Sequence, residues 1–116
     1  MKHRRQGSSL GRVAGHRRAL LRNLAVSLIV EESVVTSRGK ANELRRYVEP
    51  LITKSKEKTI PRVRALTGEL PEPGAVKKLF ETLGPKYKDR AGGYVRLSKL
   101  GPRSGDGAES VKVELV

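Results

Sequence analysis

The chain has 116 residues, 25 of them lysine or arginine against 12 acids, for a formal net charge of +13. That length suits one domain, and so large an excess of one sign calls for an anionic partner, nucleic acid first and a membrane surface second. The absence of cysteine excludes disulfides and thiolate metal sites, and no apolar run nears the roughly 20 residues that span a bilayer.

Residues 1–15 read as an extended basic arm and residues 16–116 as a single globular domain. In the arm Lys2, His3, Arg4, Arg5 and Arg12 are punctuated by Gly7, Ser8, Ser9, Gly11 and Gly15. The first thirty residues hold seven of the basic residues, both histidines and no acid. Arginine dominates, as suits planar contact with phosphate.

From His16 the pattern turns helical. Leu20, Leu24 and Leu28 recur every fourth residue beside Leu21, Ala25 and Ile29, which predicts a buried stripe with Arg18 and Arg22 on a different one. Glu31 and Glu32 end this helix poorly, because acids are disfavoured near a helix C-terminus. Ser33-Val-Val-Thr-Ser37 is β-branched and short, a strand. Thr36 or Ser37 then caps a second helix, with Ala41, Leu44, Val48, Leu51 and Ile52 on its inner face through to about Lys56. Pro50 falls inside it and is expected to bend it.

Pro61 suits the first turn of a short third helix running to about Thr67. Gly68 to Gly74 is a loop. Ala75, Val76, Leu79, Phe80 and Leu83 mark a fourth helix that Gly84-Pro85 is expected to stop. Two alternating stretches, Tyr94–Lys99 and Val111–Leu115, read as a hairpin joined through residues 101–107. The class is α+β, in the order α-β-α-α-α-β-β.

No catalytic constellation is present. His3 and His16 are too far apart for a helical metal pair, and neither a Walker loop nor a dinucleotide glycine pattern occurs. No catalytic residue, metal site, cofactor or small-molecule substrate is expected. With no tryptophan, one phenylalanine and three tyrosines, the chain lacks the stacking platform of a single-strand binder. Phosphate contact with a folded nucleic acid needs none. Tyr94, beside Gly92-Gly93 and Arg90, either meets that partner or packs inward as a strand-initiating turn.

Several segments together carry a family resemblance. They are Met1-Lys-His-Arg, Leu10-Gly-Arg12, His16-Arg17 with Arg22-Asn23, Lys40-Ala-Asn-Glu-Leu-Arg-Arg46 and Val48-Glu-Pro-Leu-Ile52. Further on come Lys78-Leu-Phe80, Leu83-Gly-Pro85, Arg90-Ala-Gly-Gly-Tyr94 with Arg96, Gly105-Asp-Gly107 and Glu114-Leu-Val116. In this order and spacing the chain resembles the bacterial large-subunit ribosomal protein L17 family over nearly its whole length. Val13-Ala14-Gly15 departs from the family's asparagine and paired serines, which predicts a weaker helix cap.

The resemblance implies a two-layer α/β domain with a basic N-terminal extension, seated on large-subunit (23S-type) rRNA near the polypeptide exit tunnel beside neighbouring large-subunit proteins. It implies a cytoplasmic location, no membrane and no homo-oligomer. Because the matching segments start at Met1, the arm reads as mature protein rather than a presequence. The residues expected to contact RNA are Lys2, His3, Arg4, Arg5, Arg12, His16, Arg17, Arg18, Arg22, Lys40, Arg45, Arg46, Arg90, Tyr94 and Arg96. The same charge also fits a nucleoid-type DNA-binding protein, the alternative, although no sustained heptad or exposed apolar face offers it a dimer interface.

Overall fold

A computed structural model describes residues 14–102, 105 and 107–116 of the chain. Helix α1 (Ala14–Glu31) leads into strand β1 (Ser33–Ser37), then α2 (Arg38–Ser55) and α3 (Ile60–Glu69). A further helical stretch comprises α4 (Pro73–Lys78), a π-turn over Leu79–Leu83 and a last turn α5 (Gly84–Lys86). Strands β2 (Val95–Pro102) and β3 (Glu109–Leu115) close the chain. The element order is the one expected from the sequence.

The hairpin forms as expected, and β1 adds to it on the far side. The sheet order is β1-β3-β2, antiparallel throughout, with Val34 opposite Val113 and Leu97 opposite Val113 from the other side. The period-2 alternation then sorts the faces. Val95, Val111, Val113 and Leu115 are buried under the helices, while Arg96, Lys112 and Glu114 point away from them. On β2 the register steps between Lys99 and Gly101, leaving Leu100 as the extra residue of a bulge. Gly101 takes φ +98 there, a value that side-chain-bearing residues avoid.

Ala41, Leu44, Val48, Leu51 and Ile52 of α2 are all buried, as the spacing of apolar residues predicts. The helix runs through Pro50, whose exposed ring faces solvent. Ser37 occupies the N-cap position with extended backbone but makes no side-chain cap hydrogen bond. Thr59 caps α3 by accepting from the Arg62 amide at 3.4 Å, and Glu72 caps α4 by accepting from the Gly74 amide at 3.1 Å. Caps of this kind are each worth about 1 kcal/mol.

Three expectations need correction. The leucine stripe of α1 is deeply buried only in the second half of the helix, at Ala25, Leu28 and Ile29; Leu20, Leu21 and Leu24 are half-covered. Eighteen residues make a rod of about 27 Å, and its first turns reach past the residues that form the core. Second, one of the two acids at the end of α1, Glu32, is compensated. Glu32 adopts the left-handed conformation at φ +67 that ends a helix, and its carboxylate lies 2.9 Å from Lys78 Nζ. Lys78 Nζ also donates to the Val30 carbonyl at 3.0 Å, satisfying a helix-end acceptor with a cation.

Third, Gly84-Pro85 does not stop the helix. The Gly84 amide donates to the Leu79 carbonyl, a five-residue spacing that widens the turn before Pro85, and the chain winds on to Lys86. Proline is tolerated in the first turn of the segment it opens. Gly84 is there for space: a Cβ on it would stand 2.2 Å from the Ser55 carbonyl oxygen at the end of α2.

Candidate nucleic-acid interface

The cations divide into those that hold the fold and those that face outward. Of the residues expected on RNA, Lys2, His3, Arg4, Arg5 and Arg12 lie outside the described residues. On α1, His16 and Arg18 are exposed and neither has an ion-pair partner among the described residues. Arg17 is half-buried and reaches Glu43 of α2 at 3.5 Å. Glu43 is only 8% exposed and also lies 3.7 Å from Arg46 on the next turn of its own helix. A carboxylate so covered needs counter-charges, and Arg17 and Arg46 supply them.

Arg22 is half-buried beside Tyr47, and its Nε is enclosed without a hydrogen-bond partner. Burial, and then the hydrogen bond that the Tyr47 hydroxyl donates to Glu69 at 2.5 Å, push the Tyr47 phenol up to about 12 despite the opposing Arg22 charge. This cluster joins α1, α2 and α3. Lys40 is half-covered near the start of α2, whereas Arg45 is exposed with no acid opposite it among the described residues.

Tyr94 sits in the core, 1% exposed, which corrects its inclusion among the residues facing RNA. Its ring packs on Tyr87 with centroids 5.1 Å apart, and its hydroxyl donates to the Arg90 carbonyl at 3.2 Å and meets Thr53 Oγ1 at 3.1 Å. The inward-packed turn is therefore the correct reading of Arg90–Tyr94. Arg90 itself is exposed. Arg96 is exposed too, yet two of its N–H groups donate to Glu114 Oε1 at 3.0 and 3.2 Å across the β2–β3 pair. That guanidinium, aided by Lys112, holds the Glu114 carboxyl below the usual range.

A second basic group is not among the residues expected from the sequence. Lys54, Lys58, Arg64, Lys86 and Lys88 are exposed, with no acid paired to them among the described residues. The alternation Lys54-x-Lys56-x-Lys58, followed by Arg62 and Arg64, is the available signal. It lies hidden at the join between two helices, where periodicity gives no face.

Among the described residues no three metal-ligating side chains come together, and no helix is long and apolar enough to cross a membrane. The arrangement offers fixed positive charge. Residues 20–116 match the family model described as ribosomal protein L17. The chain is also 47% identical, over 110 residues, to the large ribosomal subunit protein bL17 of Endomicrobium trichonymphae. That alignment covers 95% of this chain and 94% of the relative.

Proposed function

The chain belongs to the ribosomal protein L17 family, and from that premise we propose that it holds folded large-subunit (23S-type) rRNA by neutralising phosphates. As a member of this family it is a structural constituent of the large ribosomal subunit, part of the translation machinery in the bacterial cytoplasm, and not an enzyme. The finer reading puts it near the polypeptide exit tunnel, as one copy among neighbouring large-subunit proteins.

The observation that carries the RNA reading is the sorting of charge on α1 and α2. Half-buried Arg17 and exposed Arg46 share the single carboxylate of Glu43, while Arg18 and Arg45 stand outward with no ion-pair partner among the described residues. An outward cation without an internal acid is available to displace counterions from a phosphate backbone. The aromatic residues support the same mode. Phe80, Tyr87 and Tyr94 are buried, and Tyr47 is half-covered with its hydroxyl committed to Glu69. The three buried rings offer no face for stacking bases and Tyr47 offers little, in keeping with contacts that position the RNA rather than read it.

If the arm and these helices neutralise about 6–10 phosphates, affinity for isolated rRNA falls by roughly 10³–10⁵ between 50 and 200 mM salt. Ribosomes fractionated on a density gradient and washed at moderate salt test the assignment directly. The chain is expected to stay with the large subunit at one copy per particle. Its release into the light fractions, or migration with DNA, would overturn the reading in favour of a DNA-binding protein.

A further inference from the structure

Beyond the middle of α2, exposed cations (Lys54, Lys58, Lys88, Arg90) and two half-buried ones (Lys56, Arg62) form a surface of their own. Lys54 is in the last turn of α2 and Lys56 caps it, Lys58 lies in the link to α3 and Arg62 in its first turn, and Lys88 and Arg90 come from the turn after α5. Three ties draw these segments together. The Arg62 guanidinium donates to the Lys54 carbonyl at 3.3 Å, Lys56 Nζ donates to the Arg90 carbonyl, and Gly84 lies against Ser55. Glu57 and Asp89 are the acids of these turns; both are exposed, and neither is ion-paired among the described residues. Six cations against two acids leave the surface strongly positive.

This surface is separate from the one on α1. Lys56, the C-cap of α2, stands ten positions beyond Arg46, a rise of about 15 Å. Between them Glu49 lines a shallow groove with Arg46, Pro50, Thr53, Ala91 and Gly92. An anionic side chain between them repels a phosphate backbone laid across both groups, so the cations on either side of Glu49 are suited to separate strands. The chemistry of the second surface is also specified. Lys56 Nζ sits 4.9 Å over the Tyr94 ring and Lys86 Nζ 5.2 Å over the Tyr87 ring. The aromatic faces there are capped by ammonium groups and closed to bases, which leaves phosphate as the group to be bound.

We propose that the α2–α3 turn and the turn at residues 86–90 form a second phosphate-binding surface, through which one chain holds two RNA segments at once. The proposal rests on the RNA reading above and goes beyond it in making the chain a bridge. Two RNA duplexes of unrelated sequence, one carrying a donor dye and the other an acceptor, are mixed with the full chain below saturation.

Energy transfer between the duplexes is expected from particles that contain a single protein copy, as weighed by mass photometry. The Lys54→Gln/Lys88→Gln variant loses most of that transfer, about tenfold, and still binds one duplex. Its salt slope is shallower by about two, one for each phosphate contact removed. The matched variant Lys99→Gln/Lys112→Gln, which removes the same charge from the sheet, keeps the transfer. Binding without transfer, equal loss in both variants, or transfer confined to particles with two protein copies would each overturn the bridge while leaving the RNA reading intact. If the wild-type chain binds neither duplex, both fall.

Discussion

Replacing Gly84 by alanine puts one methyl group between the end of α2 and the π-turn. The added Cβ would meet the Ser55 carbonyl oxygen at 2.2 Å, the Ser55 carbonyl carbon at 2.9 Å and the Leu79 carbonyl oxygen at 3.0 Å. All three are backbone atoms inside helical segments, so no side chain can swing aside. The two elements must separate by about an ångström, and overpacking of this kind costs about 1–3 kcal/mol. Alanine's better helix propensity returns up to about 1 kcal/mol. A net loss of about 1–2 kcal/mol lowers Tm by about 4–8 °C in a domain of this size. Gly68, in α3, has open space where a Cβ would stand, with nothing within 4 Å; Gly68→Ala is expected to raise Tm by about 2–4 °C through propensity and unfolded-state entropy alone. Thermal unfolding followed by circular dichroism reads both. If Gly84→Ala melts at or above the wild-type temperature, the close approach is not a constraint and the reasoning fails.

The double substitution Arg18→Gln/Arg45→Gln is expected to flatten the salt slope of rRNA binding by about two, whereas Arg96→Gln leaves it nearly unchanged because Glu114 already neutralises that guanidinium; filter binding across a salt series distinguishes them. Tyr47 titrates near 12 in the folded chain against an ordinary 10, so its contribution to stability is complete below pH 10 and declines as pH rises toward 12. Ultraviolet titration of Glu69→Gln should find the phenol shifted back toward 10, and an unmoved titration would discount the Glu69 contact. Lys78→Met removes the cation from the end of α1 and is expected to destabilise by about 0.5–1 kcal/mol. The Glu32 carboxyl, held below its ordinary 4.5 chiefly by its hydrogen bond with Lys78, contributes stability above that value and loses it on acidification; denaturant melts of Lys78→Met should show less acid sensitivity than the wild type.

What the sequence discloses depends on how far apart the determining residues lie. The inner face of α2 and the inward positions of β3 are legible because their periodicities are local and strong. The continuation through Gly84-Pro85 is not, since the π-turn is stabilised against Ser55, 29 positions earlier. The same distance effect governs the interface. Arg17 and Arg96 look alike in the sequence, as outward arginines near glycines or strands, and each is taken by an acid 26 or 18 residues away. Arg18 and Arg45 are equally plausible from the sequence, and only the fold reveals that no acid among the described residues reaches them. Tyr94 is ambiguous because an aromatic after paired glycines serves a binding loop or a strand start equally well; its neighbours Thr53 and Tyr87 decide the matter.

The bulge on β2 has a consequence for the chain before it finds its place. A three-stranded sheet exposes two lateral edges, and an unpaired row of backbone donors and acceptors invites a strand from another copy. On this edge the extra residue Leu100 breaks the hydrogen-bond rhythm, Pro102 removes a donor at the strand's end, and Lys99 puts a charge where a second lysine would meet it. Irregularity, a missing donor and like-charge repulsion together deny a newly made copy a template on its sibling. Edge-to-edge aggregation of free copies is thereby discouraged.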